Sequence, residues 1–82
     1  MLKYTVGLLA NHPKFKRPTQ VKVFIDGRHG NVVMSVENAH TLAPIRALGH
    51  VTLSLEEYDD RPAGNIAFAR WAFAKFGLEI CE

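Results

Sequence analysis

The sequence predicts an α+β domain, in which an antiparallel or mixed sheet of four to five strands carries one main helix on one face. Residues 20–36 alternate apolar and polar side chains on both sides of a glycine-bounded turn, GRHG, which is typical of a β-hairpin. Residues 62–76 instead repeat apolar side chains at helical spacing. The chain of 82 residues is predicted to be a single domain, 1–82, because independent cores usually need roughly 50–200 residues.

Each strand is predicted from apolar side chains at every second position. The first strand covers residues 2–10, and the polar, proline-containing stretch NHPKFKRPT after it is a loop. The hairpin strands are QVKVFID and NVVMSVE, a further strand is HVTLSLEE, and LEIC adds a short final strand. The side chains predicted to face inward are Tyr4, Val6, Leu8, Ala10, Val21, Val23, Ile25, Val32, Met34, Val36, Val51, Leu53 and Leu55.

A short helix is predicted at about residues 41–48. Thr41 is a suitable N-cap, Pro44 is tolerated in the first turn, and Gly49 is placed to end the helix.

The main helix is predicted at about residues 62–76. Asp60 is its expected N-cap, and Gly77 occupies the position that most often follows the last turn of a helix. A wheel at about 100° per residue gathers the residues that should face the sheet on one side. These are Ile66, Ala69, Phe73 and Phe76, with Phe68 and Ala72 at the margin of that side.

The opposite side of this helix is the predicted partner-binding surface. It carries Arg70, Trp71 and Lys75 with the small residues Ala67 and Ala74. Tryptophan and arginine are enriched where proteins bind one another, and alanines let another backbone approach closely. The alternative is that Trp71 is tucked under a loop or under the C-terminal strand.

A second candidate surface is the basic segment 12–22. Lys14, Lys16, Arg17 and Lys22 surround Phe15, which would provide cations for phosphates and a ring for base stacking. No RNA-binding or helix-turn-helix signature accompanies the segment. A solvated basic loop is therefore the competing interpretation.

The outer face of the predicted sheet offers Lys3, Lys22, Phe24 and Val33. Sheets that bind RNA stack bases on aromatic side chains, but they carry more than one such side chain. A covered sheet or a protein contact would explain Phe24 equally well.

The sequence favours a protein that is not an enzyme. The four histidines and the single cysteine lack the spacing of metal ligands, and no cofactor motif is present. Asp26 and His29 in DGRHG are the one conceivable acid–base pair, although a charged turn is the simpler interpretation.

The charge is unevenly distributed along the chain. Residues 1–30 hold six cations against one anion, a net charge of +5, whereas residues 31–82 hold four cations against seven anions, a net charge of −3. Such asymmetry favours steered association with a charged partner. The acidic residues of the second part cluster at Glu56, Glu57, Asp59 and Asp60.

We therefore expect a small binding module of the cytoplasm that docks on another protein, as an accessory or inhibitory protein or as a homodimer. One cysteine, no recognisable secretory leader and no apolar run of about 20 residues support this location and exclude membrane insertion. The alternative function is nucleic-acid binding through segment 12–22.

Overall fold

The computed structural model describes residues 2–82 and confirms the α+β class. In this range the chain forms a six-stranded antiparallel sheet, at least one strand more than predicted, and two α-helices. The sheet order is β5-β4-β3-β2-β6, and β1 pairs with β3 beside β2. The elements are β1 Leu2–Tyr4, β2 Leu8–Asn11, β3 Thr19–Arg28, β4 Asn31–Asn38, β5 His50–Ser54, α1 Leu55–Asp59, α2 Asn65–Ala74 and β6 Glu79–Ile80.

The hairpin of β3 and β4 is the centre of the sheet, as predicted. Val23 pairs with Val36, and Ile25 pairs with Met34. All four side chains are buried on one face, which we call the inner face. Because side chains alternate along a strand, the intervening residues form the outer face.

The predicted first strand is divided into β1 and β2 by an irregularity in its register. Tyr4 pairs with Phe24 and Leu8 with Val21, so four steps along one strand oppose three along the other. One extra residue reverses the face on which the following side chains lie. The prediction that Tyr4 shares a face with Leu8 is therefore wrong, because Tyr4 lies on the outer face beside Phe24.

Thr5 repairs the hydrogen bonding that this bulge disrupts. Its backbone N–H donates to the Val23 carbonyl at 3.0 Å. Its hydroxyl accepts a hydrogen bond from the Val23 N–H at 2.9 Å. The side chain is buried, with 5% of its surface exposed. A polar residue is thus stable inside the domain because both backbone groups of Val23 are satisfied.

The prediction of a helix at 41–48 is wrong. Only Arg46–Leu48 form a helical turn, and it is a 3-10 turn. Thr41 does not cap a helix, because its N–H donates to the Asn38 side chain in a turn. Pro44 forms an isolated antiparallel bridge with Glu37 of β4. The chain between β4 and β5 thus pairs with the edge of the sheet at Pro44 and then leaves the sheet before β5 begins.

The strand predicted at 50–57 ends early, and α1 begins in its place. Ser54 caps the helix: its hydroxyl accepts from the Glu57 N–H at 3.1 Å, and the Glu57 carboxylate accepts from the Ser54 N–H. This reciprocal capping box turns the chain out of the sheet. Leu55, predicted to face inward, is consequently 47% exposed, whereas Tyr58 is buried.

The main helix, α2, is shorter than predicted and begins after Gly64, because Asp60 instead ends α1. Its C-terminus is as predicted. Gly77 has φ of 73°, and the N–H of Leu78 donates to the carbonyl of Phe73 at 3.1 Å. The N–H of Gly77 donates to Ala74, which completes a Schellman motif.

Both helices pack against the inner face and close one apolar core. Ile66, predicted to face the sheet, is 50% exposed, whereas Phe68 and Ala72, predicted at the margin of that side, are buried. Within residues 2–82 no helix covers the outer face. None of the helices in this range is long and apolar enough to cross a membrane.

Candidate functional site

The predicted partner-binding residues do share one surface of α2, which we call the α2 face. Ala67, Arg70, Ala74 and Lys75 are exposed, and Trp71 is half-buried among them. They are spaced three or four residues apart, so that their side chains are neighbours on one side of the helix. The α2 face is a continuous surface of small, aromatic and cationic side chains.

Trp71 is less exposed than a helix wheel predicts. Its ring is stacked on Phe68, with ring centres 6.0 Å apart and planes 20° apart, and it also contacts Tyr58 at 6.3 Å. The contact with Tyr58 is made by helix α1, which was not predicted, and not by a loop or the C-terminal strand. Lys75 places its ammonium 5.0 Å from the centre of the Trp71 ring. The ring is therefore held in place and remains partly accessible.

Arg70 is engaged with the C-terminal residue. Its guanidinium donates a hydrogen bond to the Glu82 carboxylate, and both side chains are exposed. This hydrogen bond, and then the positive charge of Arg70, lower the pKa of Glu82 below its ordinary value.

The structure divides the basic segment into two parts. Lys16 and Arg17 are exposed in the loop, and Lys14 donates from Nζ to the Ala47 carbonyl at 3.0 Å. Phe15 packs against the core, so its ring is not free on both faces for stacking. Lys22 lies apart from them on the outer face of the sheet.

The outer face carries two aromatic rings instead of one. Tyr4 meets Phe24 edge to face at 5.1 Å, and the Lys22 ammonium lies 4.0 Å from the centre of the Tyr4 ring. Tyr4 was not predicted to lie on this face, because the prediction did not include the bulge between β1 and β2. Lys3, predicted here, faces the other way, with its ammonium 5.0 Å from the Phe68 ring.

A groove of about 510 Å³ lies beside this aromatic pair, between the outer face and residues 44–49, which precede β5. We call it the β4 groove. Ser35 and His50 form a hydrogen bond in its wall, with Oγ and Nδ1 3.0 Å apart. The lining residues are Phe24, Ser35, Val36, Glu37, Pro44, Ile45, Arg46, Gly49 and His50.

Glu37 is the unusual residue of the β4 groove. Its Oε2 atom is buried and has no hydrogen-bond partner among residues 2–82. Lys22 is its direct cross-strand neighbour, but the Lys22 ammonium is turned toward Tyr4. A carboxylate oxygen that is removed from water and left without a donor is unfavourable, so Glu37 lowers the stability of this part of the sheet.

Asp26 of the conceivable acid–base pair is hydrogen-bonded to a cation of its own strand and not to His29. Asp26 accepts a hydrogen bond from Arg28 at 2.8 Å, and His29 is exposed in the turn with φ of 48°. No group of three or more metal-binding side chains is found in the part of the chain that the structure describes.

Comparison of the chain with protein-family models, with curated proteins and with solved structures finds no match. The geometry of the α2 face and of the outer face is therefore the basis for inferring its function.

Proposed function

We propose that this protein is a binding module that docks on another protein through the α2 face. The observation that carries the proposal is the chemistry of this surface. Trp71 is half-buried at its centre, and Ile66, one helical turn before Arg70 at the margin of the α2 face, is 50% exposed. Lys75 adds a positive charge beside the Trp71 ring, whereas the charge of Arg70 is paired with the Glu82 carboxylate, so the surface is cationic as well as apolar on the Lys75 side.

The partner surface that fits is acidic at its rim and apolar at its centre, since complementary charge steers association and apolar contact supplies affinity. A second copy of this chain offers such a surface on α1. There the exposed residues Glu56, Glu57, Asp59 and Asp60 lie next to Leu55, which is 47% exposed. A homodimer is thus one form of the proposal, and an accessory or inhibitory role on a different protein is the other.

Ala74→Glu tests the proposal better than a change at Trp71, because Ala74 is exposed whereas Trp71 also supports Tyr58 and Phe68. We expect the added carboxylate to abolish association and to leave the melting temperature nearly unchanged. Ala47→Glu, at an exposed alanine outside the α2 face, is the matched control.

Sedimentation of the purified protein measures self-association, and pull-down from nuclease-treated lysate measures other partners. Support requires that the dimer or a retained partner be lost in Ala74→Glu and kept in Ala47→Glu. A monomer whose captured proteins are the same for both variants would contradict the proposal.

A second candidate function is binding of single-stranded nucleic acid. The observation that favours it is the pair of Tyr4 and Phe24 on a sheet face without a helix, accompanied by Lys22. Aromatic side chains on open sheets stack bases, and neighbouring cations hold the phosphates.

Fluorescence anisotropy with a labelled single-stranded oligonucleotide tests this second function. Affinity should fall steeply with salt, because phosphate contacts release counterions. The triple change of Lys14, Lys16 and Arg17 to glutamine should flatten that dependence, whereas Lys75→Gln on the α2 face should not. Binding that is insensitive to salt, or equal in both variants, would count against it.

A further inference from the structure

We propose that the free edge of β5 pairs with β5 of a second copy of this chain, so that the two sheets join into one continuous antiparallel sheet. The surface is the outer edge of the strand His50–Ser54, which we call the β5 edge. This strand lies at one end of the sheet, and no further strand lies beside it within residues 2–82. The inference concerns a second interaction surface and is independent of the α2 face.

The backbone groups of alternate residues in β5 point away from the sheet. The N–H of Ile45 donates to the Val36 carbonyl at 2.9 Å, so Val36 directs its backbone groups toward the side of β4 on which β5 lies. Met34, two residues earlier, has the same direction, and it pairs with Val51 of β5. Val51 therefore bonds to β4, and the residues on either side of it direct their N–H and C=O groups outward.

His50 and Thr52 are these neighbours, and both are exposed. The hydrogen bonds found within residues 2–82 include none from their outward backbone groups. The next outward residue, Ser54, differs, because its N–H donates to the Glu57 carboxylate. Edge strands are usually protected by a charged side chain, a proline or a bulge, and HVTLS contains no charged residue and no proline and pairs with β4 in regular register. The β5 edge is therefore open to a further strand.

One register of a two-fold pair uses all of these free groups. When His50 of each copy lies opposite Thr52 of the other, each of the two pairs exchanges two hydrogen bonds. Val51 then lies opposite Val51 of the second copy. Its side chain shares the inner face with its partner Met34 but is only half-buried in the single chain. Pairing would cover it with an identical branched side chain, a favourable cross-strand contact.

The charges that flank β5 identify a second copy as the occupant. The chain entering β5 carries Arg46, and Lys14 lies next to it, with Nζ 3.0 Å from the Ala47 carbonyl. The chain leaving β5 carries the exposed residues Glu56 and Glu57. An antiparallel pair places the cationic end of each copy against the acidic end of the other, and in the register above Arg46 is opposite Glu56. A second copy has this complementary order of charges by symmetry.

The first experiment compares two changes at one position. Thr52→Pro removes the outward N–H without removing a hydrogen bond to β4, and edge strands tolerate proline in this orientation. We expect the dimer to be lost in Thr52→Pro and kept in Thr52→Val, which retains the N–H. Sedimentation over a range of concentrations measures the dimer, and circular dichroism verifies the fold. A folded Thr52→Pro variant that dimerises like the wild type, or a wild type that is monomeric at about 1 mM, refutes the proposal.

Amide exchange locates the dimer contact without any substitution. The N–H groups of His50 and Thr52 should exchange more slowly as the protein concentration rises, because association gives them acceptors. The N–H of Val51, which is bonded to β4, should show no such dependence. If the protein dimerises while the exchange at His50 and Thr52 stays constant, the contact lies elsewhere and the proposal is overturned.

Exchanged charges test the antiparallel direction. Arg46→Glu and Glu56→Lys each place like charges together at both ends of the contact and should each weaken self-association by about tenfold. An equimolar mixture of the two variants should recover the wild-type affinity, because every contact then joins opposite charges. Light scattering or sedimentation of the mixture measures this recovery. A mixture that associates no better than the separate variants would refute the antiparallel pair.

Two further variants separate this dimer from one formed by the α2 face. Ala74→Glu should leave pairing at the β5 edge intact, because Ala74 lies on α2. Ala47→Glu adds a carboxylate next to the acidic residues of the second copy and should weaken the pairing. A dimer that is lost in Ala74→Glu and kept in Ala47→Glu would belong to the α2 face and would overturn the β5 proposal.

Discussion

The two faces of the sheet are built from the same strands but have different properties. Val32 and Val33 are consecutive in β4; Val32 is completely buried under the helices, whereas Val33 is only half-buried on the outer face. Tyr58, Phe68 and Phe73 cover the first of these faces. The comparison shows that the apolar core lies on one face of the sheet, whereas the other face carries polar and aromatic side chains.

The largest test of this division is the pair Val32→Ala and Val33→Ala. The first change removes buried methyl groups and should lower the free energy of unfolding by about 2 kcal/mol or more. The second should cost less than about 1 kcal/mol, because Val33 remains partly in water. Urea denaturation of both variants measures the difference, and equal losses would show that the outer face is also part of the core.

A smaller effect is expected at the bulge, where Thr5→Val is compared with Thr52→Val in β5. Thr5→Val removes the acceptor of the Val23 N–H and should cost about 1–3 kcal/mol, the penalty for a buried group without a partner. Amide exchange at Val23 should accelerate. Thr52→Val, at an exposed position of β5, should be nearly neutral; a neutral Thr5→Val would instead show that another group replaces the hydroxyl.

The smallest effect concerns the ion pair of the α2 face. Because the Arg70 hydrogen bond lowers the pKa of Glu82, the stabilisation is present above the ordinary carboxyl pKa of 4.5 and is lost as pH falls through the lowered value. Glu82→Gln should therefore melt slightly below the wild type at neutral pH and together with it in strong acid. Since both groups are exposed, about 1 M salt should remove the difference at neutral pH; a difference that persists there would indicate another role for Glu82.

The sequence was a good guide where local pattern and tertiary structure agree. The alternation around GRHG located the central hairpin, because one face of each strand is buried and the other is not. Gly77 and the apolar Leu78 located the end of α2, because a Schellman motif depends on residues that are close in sequence.

The predictions from the sequence fail where contacts between residues that are distant in the chain determine the local structure. The apolar alternation of β1 and β2 continues through the bulge, so nothing local reveals the extra residue that moves Tyr4 to the outer face. Leu55 extends the alternation of β5, and the competing signal, Ser54 followed three residues later by Glu57, started α1 instead. The wheel left Trp71 without a neighbour because the helix that contacts it, α1, was not predicted.

The bulge between β1 and β2 contacts the chain that follows β4 at one point, between Gly7 and Ala39. A side chain at Gly7 would place its first carbon 3.1 Å from the Ala39 methyl, closer than nine in ten such contacts. Ala39 in turn donates its N–H to the Gln20 carbonyl at 2.9 Å, which holds it against β3. Among related chains, the sizes of the residues at positions 7 and 39 should therefore vary in opposite directions, so that a larger residue at one accompanies glycine at the other.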